Sequence, residues 1–233
     1  MSRKLRVAIT TTADTAPRVA DLLRSAGLEP VPLPCIRIVA SAPKVLQRLR
    51  SFARDADWIV VTSPRAVHVT WPDGGMLSVP VAAVGPAAAS AATRAGGRVE
   101  VTGEAGAASL LEALRPLVRG KQVAFPHARS VDPAIVAGLR AAGAEVVAEP
   151  VYDTVPTAPD ADAVDAVIFG SPSAVEGWCR SRHLDGLVIV GMGATTGSAL
   201  IARGHPPHVI PDQPGFENLV TALTQHLRER IPT

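Results

Sequence analysis

The chain is written twice. Residues 7–37, VAITTTADTAPRVADLLRSAGLEPVPLPCIR, lie over residues 123–153, VAFPHARSVDPAIVAGLRAAGAEVVAEPVYD, with Gly27 on Gly143 and Pro34 on Pro150 at an offset of 116. Farther along, DWIVVTSPRAV lies over DAVIFGSPSAV at an offset of 108, which also brings Gly85 onto Gly193 and Gly96 onto Gly204. The change of offset is a short loop deletion, so a unit of about 110 residues occurs in two copies, and both copies must reach the same fold.

Each copy alternates two kinds of pattern. Val7–Thr10, Trp58–Thr62 and Val79–Val84 are short, uninterrupted apolar runs, as strands covered on both faces require. Between them Val19, Leu22, Leu23 and Ala26 fall at helical spacing, and Gly27 follows where a left-handed helix terminus needs a residue without Cβ. Ile135, Leu139 and Ala142 repeat the pattern before Gly143. Strands alternating with helices of this length predict an α/β protein built on parallel sheets flanked by helices.

The Ser-Pro phrases VVTSPRAV and IFGSPSAV sit where a strand turns into a helix. Ser63 and Ser171 can cap backbone N–H groups, while Pro64 and Pro172 occupy the first helical position, where a missing N–H costs nothing. Each phrase taken singly is a well-made helix start. Similar elbows are predicted after Thr10, Val84, Phe125 and Val190, in TTTADTAP, GPAAAS, PHARSVDP and GMGATTG. Helix N-termini would then gather at the carboxyl edges of two parallel sheets, where open α/β folds bind ligands, each offering N–H donors and a positive dipole end. Two such units facing one another would form a cleft suited to a large polyanion.

Composition narrows the partners. Aromatic residues make up 3% of the chain and the formal charge is +2 without a long basic block, which disfavours nucleic acid as the ligand. No run of about 20 apolar residues offers a membrane span, and MSRKLRVAITTT has too short an apolar run for a secretory signal, so a cytoplasmic protein is expected. Cys35 and Cys179 lack metal spacing, and His205 and His208 stand in a Pro-rich turn, so no metal is expected. GMGATTG departs from the Gly-x-Gly-x-x-Gly spacing of a dinucleotide loop. His127, read on an elbow, is open to capping, to proton donation or to anion binding. Tyr152 occupies the position of Ile36 in the first copy and either packs with its hydroxyl wet or serves as an acid.

VVTSPRAV, VAAVGPAAASAATRAGGRVEV, AEPVYDTVP, VIFGSPSAV, VIVGMGATTGSALIARG and VIPDQPGFENLVTAL, in this order and spacing, resemble the uroporphyrinogen-III synthase family over nearly the whole chain. The resemblance implies two α/β domains joined by two extended linkers: residues 1–36 with 157–233, residues 41–149, and linkers 37–40 and 150–156. It implies a carbon–oxygen lyase that needs no cofactor and acts on hydroxymethylbilane, a linear tetrapyrrole with eight carboxylates; a monomer is expected. The product is uroporphyrinogen III, formed with loss of water and inversion of the last pyrrole ring.

Tyr152 matches the family's linker tyrosine, the candidate catalytic acid. Ser63, Ser171 and Thr196 match the family's elbow serines and the threonine of its second Gly-x-x-Thr phrase. With Pro64, Arg65, Gly85, His127, Ser173, Gly193 and Thr195 they make the expected substrate-binding set. The sequence departs from the family at Ala88, where many members have threonine, in Thr10–Thr12, and in PHARS. Ala88 keeps a second reading open, a catalytically inactive tetrapyrrole or anion sensor of the same fold. A third, a two-domain binding protein of periplasmic type, is opposed by the lack of a signal sequence.

Overall fold

The computed structural model describes residues 3–76, 79–103 and 106–230. Residues 1–2, 77–78, 104–105 and 231–233, which the expected domains include, lie outside the described residues. The chain divides into two units, Met1–Ile38 with Thr154–Thr233, and Val39–Asp153.

In chain order the elements are β1 (Arg6–Ile9), α1 (Ala16–Ser25), β2 (Glu29–Pro32), β3 (Ile36–Ala40), α2 (Pro43–Asp55), β4 (Trp58–Val61), α3 (Pro64–Thr70), β5 (Pro80–Val84), α4 (Gly85–Arg94) and β6 (Arg98–Gly103). There follow α5 (Ala107–Leu114), β7 (Gln122–Ala128), α6 (Pro133–Ala141), β8 (Glu145–Pro156), β9 (Ala166–Phe169), α7 (Pro172–Trp178), β10 (Val188–Gly191), α8 (Ala194–Ile201) and α9 (Phe216–Arg230). The sheets have the orders β10-β9-β1-β2 and β3-β8-β7-β4-β5-β6. The segments expected as linkers, residues 37–40 and 150–156, are strand: the end of β3 and the second half of β8.

The repeat extends to the register of the sheets. In the first unit Val7 pairs with Ala166 and with Pro30, and Val167 with Ile189, all parallel. In the second Val123 pairs with Trp58 and with Val146, and Ile59 with Val81, also parallel and at the offsets read from the sequence. Even the bridge from Val190 to Val209 repeats the pairing of Ala82 with Val101.

Both faces of each sheet are covered, which is why the strands read as unbroken apolar runs. Val7, Ile9 and Ile168 pack with Val19 and Leu23 of α1 and Leu219 and Leu223 of α9. Their alternates Ala8, Val167 and Phe169 pack with Val175 and Trp178 of α7 and Leu200 of α8. In the second unit Trp58, Val60 and Phe125 meet Leu110 and Leu114 of α5 and Leu139 of α6. The alternates Ile59, Val61 and Val81 are buried on the opposite face.

The amino edge of each sheet is clasped by a repeated aspartate. Asp165 accepts the Arg6 N–H at 2.8 Å, and Asp57, at the equivalent position, accepts the Gln122 N–H at 2.9 Å. Each also donates its own N–H to the same partner's carbonyl, at 2.8 and 3.0 Å. Among the described residues no helix is long and apolar enough to cross a membrane.

Candidate active site

Parallel pairing brings the carboxyl ends of β5, β4 and β7 to one edge of the second unit, with β8 continuing past them. There Ser63 leaves β4 in extended conformation and caps α3, its Oγ accepting the Arg65 N–H at 3.0 Å behind Pro64 at the first helical position. Ser171 does the same for α7, accepting the Ala174 N–H at 3.3 Å. Both Ser-Pro phrases therefore make the expected helix starts.

Of the two, Ser63 alone meets a phenol. The Tyr152 hydroxyl lies 3.2 Å from Ser63 Oγ. Tyr152 stands in β8, its backbone level with Ala128, and is 7% exposed. Its carbonyl accepts the Arg129 N–H at 2.9 Å, and the adjacent Asp153 pairs with Arg129 at 3.3 Å, so the backbone on either side of the phenol is held. Since one lone pair of Ser63 Oγ is taken by the Arg65 amide, the serine proton can be given to the phenol oxygen, leaving the phenol proton for another acceptor. Arg129 and Asp153 carried no signal in the sequence beyond their nearness to this strand.

The two serine elbows contrast with the two glycine elbows. The serine elbows are closed by their own hydroxyls. The glycine elbows are open: α4, which starts at Gly85 and has Pro86 in its first turn, and α8, capped by Gly193, have no side-chain cap among the described residues. Apart from the chain on either side and the helix's own backbone, no atom of the described residues stands within 4 Å of where a Cβ would be at either glycine. Uncapped N–H groups, positive dipole and empty space are the features that suit a carboxylate.

His127 requires a correction. The strand expected to end near Phe125 runs on to Ala128, so His127 lies within β7, buried, and not on an elbow. The cause is β8, which pairs with β7 through to Ala128 across a register shift at His127. Its Nδ1 is bonded to the Ala128 carbonyl at 2.7 Å, and the helix start that follows is Asp132-Pro133, with Asp132 accepting the Ala134 N–H at 2.9 Å.

Of the remaining candidates, Thr195 is exposed in the first turn of α8 and Ser173 is half-buried in that of α7. Thr196 is 4% exposed, and the equivalent Ala88 is fully buried. That pair occupies a packing position on the inner face of its helix, so the alanine alters packing before it alters the open edge. Cys35 is no nucleophile: burial pushes its thiol up to about 12, and it donates to the Leu33 carbonyl. Among the described residues no group of three or more metal-ligating side chains converges.

The fold and edge geometry define a duplicated parallel α/β protein with open helix N-termini and one phenol–serine pair. The model of the family described as uroporphyrinogen-III synthase HemD matches residues 17–221, and the chain belongs to that family. The uroporphyrinogen-III synthetase of Helicobacter pylori is similar in fold, with 16% identity, a TM-score of 0.66, and coverage of 97% of this chain and 100% of that one. A mutant uroporphyrinogen III synthase of the extremely thermophilic bacterium Thermus thermophilus gives 19% identity, a TM-score of 0.63, and coverage of 97% and 99%. No curated protein matches the sequence.

Proposed function

We propose that this chain converts hydroxymethylbilane to uroporphyrinogen III, with Tyr152 as the acid. The observation that carries the proposal is the contact of Tyr152 with Ser63 at the carboxyl edge of a parallel sheet, in a chain of this family. The C–O bond of the terminal hydroxymethyl group breaks as the phenol gives its proton to the departing oxygen, releasing water and leaving an electron-poor methylene. The substituted carbon of the last ring attacks it to form a spiro centre, which fragments and recloses with that ring inverted. Loss of the ring-carbon proton restores the pyrrole and returns a proton to Tyr152.

Ser63 holds the phenol and stabilises its oxygen when the proton has left, which is worth more in a site poor in water. Carboxylates of the substrate are assigned to the open N-terminus of α4, in the same unit as Tyr152 and Ser63, and backbone N–H groups used in this way let a chain of formal charge +2 bind an octacarboxylate. On this reading residues 1–36 with 157–233 and residues 41–149 are the two domains, and one copy of the chain supplies every group used.

The test is a coupled assay in which hydroxymethylbilane is generated in place and the type I and type III isomers are separated after oxidation. Type III product is expected. Type I alone, with tetrapyrrole binding retained, would make the chain an inactive sensor.

A further inference from the structure

The opposite edge of the first unit carries a group that the synthase reading leaves unused. α7 and α8 both end there, and the segments that follow, CRSRH (residues 179–183) and ARGH (residues 202–205), close round a cavity of about 520 Å³. Arg180, Arg182, His183, Arg203 and His205 line it, and none of its described lining residues is acidic. Cations at a helix C-terminus balance the half-charge of its dipole, but three guanidiniums exceed what two helix ends call for.

The arginines are positioned, yet mostly by neutral groups. Arg182 stacks on the buried Trp178 with its Cζ 4.4 Å from the ring centroid, and it donates to the carbonyls of Asp160, at 3.0 Å, and Asp162. Arg203 donates to the Ala199 carbonyl at 3.1 Å. Carbonyl bonds orient a guanidinium without cancelling its charge, and each guanidinium has five N–H donors. Among the three described arginines of the pocket, Arg180 is the one paired with a carboxylate, Glu176 at 2.9 Å, and it is pinned as well by the Pro156 carbonyl at 2.6 Å. The nearby Asp162 answers chiefly to Arg6, at 2.9 Å, and Asp185 lies 3.9 Å from His205.

We infer that this pocket binds a small multivalent oxyanion, with phosphate or carboxylate groups held by Arg182 and Arg203 and supported by Arg180. Trp178 is fully buried beneath Arg182, so the site offers no ring face for a base and selects the charged groups alone. It lies at the far end of α7 from Ser171 and takes no part in the proposed chemistry.

Titration calorimetry of the full chain with inorganic pyrophosphate, and separately with citrate, at constant ionic strength tests this. A saturable site that depends on Arg203 is expected, and whichever anion binds more tightly at it identifies the oxyanion class. Arg203→Glu should weaken it at least tenfold, and Arg182→Lys, which keeps the charge but loses the fork, should weaken it less. Arg203 is exposed and its bond to Ala199 is local, so the variant should fold, which its unchanged thermal midpoint would verify. Tyr152→Phe should bind pyrophosphate as the parent chain does, whether or not the parent makes type III product. Absence of saturable binding, equal affinity in Arg203→Glu, or loss of binding in Tyr152→Phe would each overturn the inference.

Discussion

The two units share register, helix starts and edge clasps, yet differ at a few equivalent positions, and those positions separate scaffold from chemistry. Tyr152 of the second unit stands where the first has Ile36, and Val69 of α3 stands where α7 has Gly177. Duplication therefore preserved what makes the fold, namely apolar strands, the Ser-Pro caps and the aspartate clasps. The two edges are not symmetric: one serine elbow meets a phenol, and the helix that follows the other carries a close backbone crossing near its end.

The largest break in that comparison is expected at Gly177. A Cβ placed there would stand 2.0 Å from the Cys35 carbonyl oxygen and 2.7 Å from that of Thr157, and both are backbone atoms that cannot rotate away. Giving α7 the residue of its counterpart, Gly177→Val, should destabilise the first unit by at least about 3 kcal/mol through overpacking. The reverse change, Val69→Gly, should cost only about 1 kcal/mol for a glycine in a helix, plus the side chain's partial burial. Urea denaturation of the two variants, followed by an intrinsic or attached probe in each unit, measures the asymmetry. Similar losses would mean that the two helices seat alike.

The next largest difference concerns activity. Tyr152→Phe removes the proton and keeps the ring, so type III formation should fall about 100-fold, while stability changes by about 1 kcal/mol for one hydrogen bond. The paired serines then sharpen the contrast. Ser63→Ala and Ser171→Ala should each cost about 1 kcal/mol of stability for a lost cap. Only Ser63→Ala should also lower the turnover number, because Ser63 is the serine that touches the phenol. Equal activity losses in the two serine variants would remove the serine from the proton path and leave it a cap.

Much of this architecture was legible because it is local. Apolar runs, left-handed glycines such as Gly27 and Gly143, and Ser-Pro starts depend on a few consecutive residues. The contact between Tyr152 and Ser63 was not legible, because it needs the order β8-β7-β4, in which Tyr152 reaches past a neighbouring strand. His127 was misplaced for a related reason. Pro126 interrupts the run VAFPHA and reads as a strand end, yet the partner strand β8 carries β7 beyond it. The split between closed serine elbows and open glycine elbows was likewise hidden, since whether a hydroxyl folds back on its own helix depends on geometry that residue types do not fix.

The smallest expected effect lies at the clasps, and it tests whether the two amino edges still behave alike. In the second unit the hydrogen bond from Lys121, 2.9 Å away, and the Gln122 N–H hold the Asp57 carboxyl below its usual range. A depressed carboxylate pKa contributes stability that is complete above the unfolded value, about 3.9, and is lost as pH falls through the folded value. Asp57→Asn should therefore leave a second unit whose stability falls less steeply on acidification below about pH 4 than the parent's. The clasp of the first unit has a different cation, since Asp165 is paired with Arg3 and also takes the Arg6 N–H. Denaturation midpoints of Asp57→Asn and Asp165→Asn, taken at neutral pH and at about pH 3, compare the two. If Asp57→Asn is as acid-sensitive as the parent, the Lys121 pair is solvent-screened decoration and the backbone clasp alone holds the edge.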